Sequence, residues 1–144
     1  MVKLATKHID SIVDGIEIGS LDDAGYAGFV QEITIATAVS AFQPLYNSGS
    51  FQYSPANATS ESTGDAKCIA LEGASSGTIK ALFWGKVRND TWNWSNGAVF
   101  IDTSAGTLTQ TAPSSTGNVV KEVGTAIDAD TVLFDFSKWP IVLS

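Results

Sequence analysis

The sequence predicts an all-β protein, a small antiparallel β-barrel or sandwich with an extended N-terminal arm. Three observations carry that expectation. From Gly85 to Phe136, short runs of Val, Ile, Thr, Phe and Trp are separated by Gly, Asn, Asp, Ser and Pro at close, even intervals, the pattern of strands joined by tight turns. Asn96-Gly97 sits between two such runs and is the strongest short hairpin signal a sequence carries. No stretch of ten or more residues combines a helix cap with helical apolar periodicity, and no internal repeat recurs at a fixed period.

Taken in order, Met1–Ser20 places Ile9, Ile12, Val13 and Ile16 at helical spacing, but β-branched residues dominate and Gly15 interrupts them. The stretch is read as an extended arm or as first strands, and a single β-rich domain is expected over 21–144. Asp22, Asp23 and Gly25 make a turn. Phe29–Ser40 reads as a strand with Ile33 and Ile35 on one face and Glu32 and Thr34 on the other. Asn47-Ser48-Gly49 marks a hairpin turn that puts Phe51 and Tyr53 on one face. Ser54–Asp65 is polar and aperiodic, which predicts an exposed loop or a boundary. Strands follow over Ala66–Leu71 and Thr78–Arg88, with a bulge or bend expected at Gly85. Further strands are expected over Thr91–Ser95, Ala98–Asp102, Thr107–Thr111, Val119–Ile127 and Thr131–Phe136. The apolar tail Trp139–Leu143 is read as a final edge strand or an interface peptide.

Composition narrows the function classes. The chain has 144 residues, of which 44% are hydrophobic, enough for one packed core and against global disorder. Charged residues are 16%, below the roughly 25% of an average globular chain, so the surface is neutral-polar. A net charge of −7 with eight Lys and Arg argues against binding a phosphate backbone or an anionic membrane. Cys68 is the single cysteine, so no intrachain disulfide forms, and it is read as a small buried hydrophobe. No run approaches the length of a membrane helix, and the N-terminus lacks the apolar core of a signal peptide, which predicts cytoplasmic expression.

Catalytic and metal chemistry find little to work with. His8 is the single histidine, flanked by Lys7 and Asp10 without a nucleophile elbow. One His and one Cys do not make a zinc site, and no phosphate-binding glycine loop is present. The carboxylates Asp22, Asp23, Asp128 and Asp130 read as solvated turn residues. The chain is therefore expected to be non-enzymatic and to carry no cofactor. The aromatic cluster Trp84, Trp92 and Trp94 is the more informative feature. Trp92 and Trp94 would share a strand face, either as core fillers or as an exposed surface for a subunit contact or sugar stacking. Candidate interface residues are Ile9, Ile12 and Val13 in the arm and Trp139, Ile141, Val142 and Leu143 in the tail.

The segments ATSESTGDAKCIALEG, ALFWGKVRND with TWNWSNG, FIDTSAGTLTQTAPSSTG and VVKEVGTAIDADTVLFD, spanning about 58–136, resemble a module of tailed-bacteriophage virion proteins. SAGTLTQTAPSSTG and VVKEVGTAI are its most specific pieces. The resemblance implies a structural, β-rich unit of the capsid-decoration, cement or head-fibre type, assembled as a homotrimer. Its expected partner is the major capsid protein, and its expected place is the outer surface of an icosahedral head, after synthesis in the bacterial cytoplasm. The alternative is a tail or tail-fibre component that binds a receptor or glycan. The first 57 residues fall outside the resemblance.

Overall fold

The computed structural model describes residues 21–144. The arm expected over Met1–Ser20, with Ile9, Ile12 and Val13, lies outside the described residues, as does His8. The described chain is all-β, as expected, with about half of it in strands and a single helical turn. β1 (Tyr26–Ile35), β2 (Pro44–Gly49) and β3 (Gln52–Pro55) precede a single helical turn, α1 (Glu61–Gly64). After it come β4 (Ala66–Ala70), the long β5 (Gly77–Arg88), β6 (Gly97–Ile101) and β7 (Leu108–Thr109). β8 (Val119–Val120), β9 (Glu122–Ala126), β10 (Thr131–Asp135) and β11 (Ile141–Val142) complete the chain.

Five strands close a barrel in the order β1-β3-β2-β4-β5, with β5 returning to β1. All of these pairings are antiparallel except β1 with β3. Alternation fills the interior: Ile33, Ile35, Leu45, Cys68, Ala70, Ile79 and Ala81 form one core. Glu32 and Thr34 point outward, as their alternation predicts.

β5 is shared between two structures. Along one edge it pairs with β1 from Gly77 to Val87. Along the other it pairs with β4 at Ala81 and Leu82, then with β10 from Trp84 to Arg88. β10 continues the sheet into β9, β6 and β7. The outward residues of the barrel wall, Ile69 and Leu82, therefore meet Val99, Ile101, Val123, Val132 and Phe134 in a second core.

The bend that lets β5 serve both lies where it was expected. Gly85 faces Gly28 directly across the β1–β5 ladder, and one extra residue, Phe83, is bulged out between Trp84 and Leu82. Both glycines have positive φ, 132° at Gly85 and 155° at Gly28. A Cβ on Gly85 would lie 2.2 Å from the Ala27 carbonyl oxygen, and one on Gly28 would lie 2.0 Å from that of Trp84.

Several expectations are corrected. The first strand starts at Tyr26 and ends at Ile35, and Val39 forms only an isolated bridge with Ala74. The β2–β3 turn is made by Ser50 and Phe51, both with positive φ, the twist a tight hairpin needs; Gly49 takes up a register shift before it. Phe51 is thus an exposed turn residue and shares no strand face with Tyr53. Thr91–Ser95 is not a strand, and no hairpin forms at Asn96-Gly97. Gly97 to Phe100 pair with β9 instead, and the Trp92 and Trp94 amides bond individually to the carbonyls of Asn89 and Ala129.

Ser54–Asp65 is neither an exposed loop nor a boundary. Ala56 and Ala58 are fully buried. The Ala58 amide donates to Asp102, its carbonyl accepts from Val119, and the Ala56 carbonyl accepts from Gly106, each at 2.8 Å. The segment stitches the barrel to the second sheet, and its residues are small because the two approach closely there. At its end Asp65 accepts a 2.6 Å hydrogen bond from Lys121, a lysine only 1% exposed, and a 2.7 Å bond from the surface Lys67. Burial works against ionisation of Asp65, but the hydrogen bonds and charges of the two lysines outweigh it and hold the carboxyl below its ordinary range. Burial pulls the Lys121 ammonium down from the usual lysine range, with Asp65 resisting.

Gly85→Ala should lower unfolding free energy in urea by about 3 kcal/mol or more, because strain and backbone overlap combine. Gly97→Ala, at φ 143° with open space around it, should cost only about 1 kcal/mol. Asp65→Ala should cost about 3–5 kcal/mol by leaving the buried Lys121 ammonium without its partner, whereas the paired change Asp65→Leu with Lys121→Met should cost much less. Because the folded carboxyl of Asp65 titrates below the ordinary 3.8, its contribution is complete above that value and is lost as pH falls below it. The wild-type urea midpoint should therefore drop more steeply in acid than that of the paired variant.

Candidate functional site

The aromatic cluster divides into an inner and an outer part. Trp92 packs on Phe42 and Trp94, each at 5.7 Å between ring centroids, and on Phe134 at 6.3 Å. Phe134 stacks in turn on Phe136. Trp92 and Trp94 thus roof the second core, and the Trp94 indole N–H is buried without an acceptor. They share a face through this packing and not through a strand.

Trp84 goes the other way and is 44% exposed. Its ladder partner is Phe29, 54% exposed, and directly opposed residues share a sheet face. Further along β1 and β5 that face carries Ile33 and Ile79 into the barrel core; past the bulge it opens to solvent. Phe83, displaced by the bulge, packs edge-on against Phe29 at 6.2 Å and Tyr53 at 6.3 Å. These rings form a continuous aromatic surface over the barrel wall.

Trp84 stands between two grooves. One, of about 600 Å³, is walled by Tyr53, Phe83, Trp84 and Phe136, with Asn47 and Asp135 at its rim. The other, of about 180 Å³, runs past Leu133 and Thr125 toward Glu122 and Lys138. Asp135 borders both. Hydrogen bonds from the side chain and backbone of Ser137 hold its carboxyl below the usual range, so it is an ionised acceptor at neutral pH. Lys67 in the first groove is bonded to Asp65, and Lys138 in the second to Glu122.

A second exposed apolar surface is the C-terminal tail. Ile141 and Val142 pair with Val120 and Val119, and the Leu143 amide donates to Asn118 while its carbonyl accepts from Gly117. This ribbon holds Trp139 at 82% exposure and leaves Ile141 and Val142 more than half exposed or at half, while Leu143 is half-buried. The tail residues singled out by sequence are thus gathered on one short ribbon. Phe29, Tyr53 and Phe83 were not singled out; the bulge at Phe83 shifts the strand alternation, and only the expected irregularity at Gly85 pointed to it.

Cys68 is buried in the barrel, where burial pushes its thiol up to about 12, so it stays protonated and unreactive. Two of the turn carboxylates bond backbone amides: Asp23 accepts from Asp90, tying the first turn to the end of β5, and Asp128 accepts from Asp130. Among the described residues no group of three or more His, Cys, Asp or Glu is arranged to hold a metal ion. No protein-family model matches the chain, and no curated protein matches it.

The division of the tryptophans is directly measurable. Trp92→Ala and Trp94→Ala should each cost about 3–5 kcal/mol in urea unfolding, as large-to-small core changes do. Trp139→Ala should stay within about 0.5 kcal/mol of wild type, as a surface change.

Proposed function

We propose that this chain is a non-enzymatic decoration protein of a bacteriophage head, of the cement or head-fibre type. It binds the outer surface of the icosahedral shell through the major capsid protein, as a homotrimer, and stabilises it. The observation that carries this reading is the terminal ribbon. β11 has one edge on β8 and, among the described residues, no strand on its other edge, and it presents Trp139, Ile141 and Val142 to solvent. An apolar strand with an open edge suits addition to a neighbouring sheet.

The remaining support is physical. A closed barrel fused to a second sheet is a rigid unit that loses little freedom on docking. A surface poor in charge suits close contact with another protein, and many weak contacts repeated over a lattice add to strong attachment. The likeness of 58–136 to virion modules points to the same class.

Antibody labelling of intact virions, viewed by electron microscopy, tests the placement: label should spread over heads. Label confined to tails would replace this reading with the tail-component alternative. Removing Trp139–Ser144, or changing Trp139 and Ile141 together to Ser, should abolish binding to undecorated capsids while circular dichroism shows the barrel still folded. Saturation of capsids by either variant would remove the ribbon from the interface. Sedimentation equilibrium of the free chain should give a trimer mass.

A further inference from the structure

We infer that the two grooves flanking Trp84 form one binding site for a short, linear, neutral oligosaccharide that crosses the indole. This holds whether the protein sits on a head or on a tail. The floor of the grooves limits what can bind. β5 is paired along both edges, by β1 on one side and by β4 and β10 on the other, and β10 and β9 are likewise paired on both sides. No backbone donor or acceptor row is free there, so a peptide cannot add as a strand. A ligand must be held by ring faces and by a few side-chain polar groups.

Charge narrows the ligand further. Lys67 and Lys138 line the grooves together with Asp135 and Glu122, two cations against two anions. Both lysines already have carboxylate partners, Asp65 and Glu122. A polyanionic chain, nucleic acid or acidic glycan, would find both groove-lining lysines already paired. A neutral sugar needs neither. Its C–H faces stack on the electron-rich faces of Tyr53, Phe83 and Trp84, and its hydroxyls bond to Asn47 and the ionised Asp135.

Shape agrees with a chain. The larger groove, at about 600 Å³, lies within the roughly 300–1,000 Å³ of small-ligand clefts. Trp84 on β5, Asp135 on β10 and Thr125 on β9 place the two grooves across two inter-strand spacings, about 10 Å, longer than one sugar ring. Trp84 and Asp135 line both grooves, so a ligand can run from one into the other.

The test uses the full chain and a panel of neutral hexasaccharides: cellohexaose, maltohexaose, chitohexaose and mannohexaose, with hexagalacturonate as the anionic comparison. Saturation-transfer NMR and tryptophan fluorescence titration report binding. At least one neutral hexasaccharide should bind at micromolar to low millimolar concentration, and Trp84→Ala should weaken it by about tenfold or more. Asn47→Ala and Asp135→Asn should each weaken it several-fold, and Trp139→Ala should leave it unchanged. Should Trp84→Ala fail to fold, the two rim variants decide the matter. Lack of binding by every neutral member, undiminished binding in the Trp84 or rim variants, or preference for hexagalacturonate would each overturn the proposal. So would a loss of self-association in Trp84→Ala without sugar binding by wild type, which would make this face a contact between copies.

Discussion

The structure depends on the close approach of two glycines. Where Gly28 meets Gly85, each backbone occupies the space a side chain would need, at distances near 2 Å from the partner strand's carbonyl. The crossing allows one strand to turn sharply while still bonded along its length to β1. A straight β5 would leave the barrel wall and the second sheet in conflict, because the same strand must line both. The extra residue at Phe83 completes the adjustment and has a surface consequence. It places Phe83 and Trp84 on the side away from the second core, above the end of the barrel interior, where solvent reaches them. The exposed aromatic face is therefore a by-product of the bend that joins the two cores.

Joining two cores also requires that they be held at fixed distance, and here the chain uses small residues and one buried charge. Ala56, Ala58 and Gly64 allow the 56–64 segment to lie flat between barrel and sheet, and a Cβ at Gly64 would strike Val119 at 2.2 Å. Lys121 then reaches from the start of β9 to Asp65 at the start of β4. An apolar pair could fill that space as well. The ion pair adds direction, since a displaced second sheet would strand a charge in the interior. Specificity of docking between the layers, more than stability, is what this contact contributes.

Much of this architecture is legible in the sequence, and the exceptions have physical causes. Alternation gave the inward Ile33 and Ile35, a mid-strand glycine gave the bend at Gly85, and turn-forming residues gave the turn at Asp128–Asp130, because those are local properties of a strand or turn. Asn96-Gly97 misled because hairpin propensity competes with partner availability. Gly97–Phe100 has a better ladder in β9, and Trp92 and Trp94 gain more by roofing the core than by lying on a strand. Ser54–Asp65 misled because small residues are scored as polar loop when their role is close packing. Lys121 gave no signal at all: a lysine between Val120 and Glu122 looks like a solvated strand position until Asp65 is brought across 56 residues of chain.

The two apolar surfaces differ in a way that bears on what each can do. On the terminal ribbon, hydrophobic side chains accompany an open strand edge, so backbone and side chains can both be engaged by another sheet. On the barrel face every edge is already paired, and aromatic rings stand among balanced charges and neutral polar groups. The first combination favours a protein partner whose own edge can be extended. The second offers stacking and hydrogen bonding but no strand to extend, which favours a ligand with flat apolar faces and many hydroxyls. One rigid body can then meet two different partners through separate faces, since neither surface uses a residue of the other.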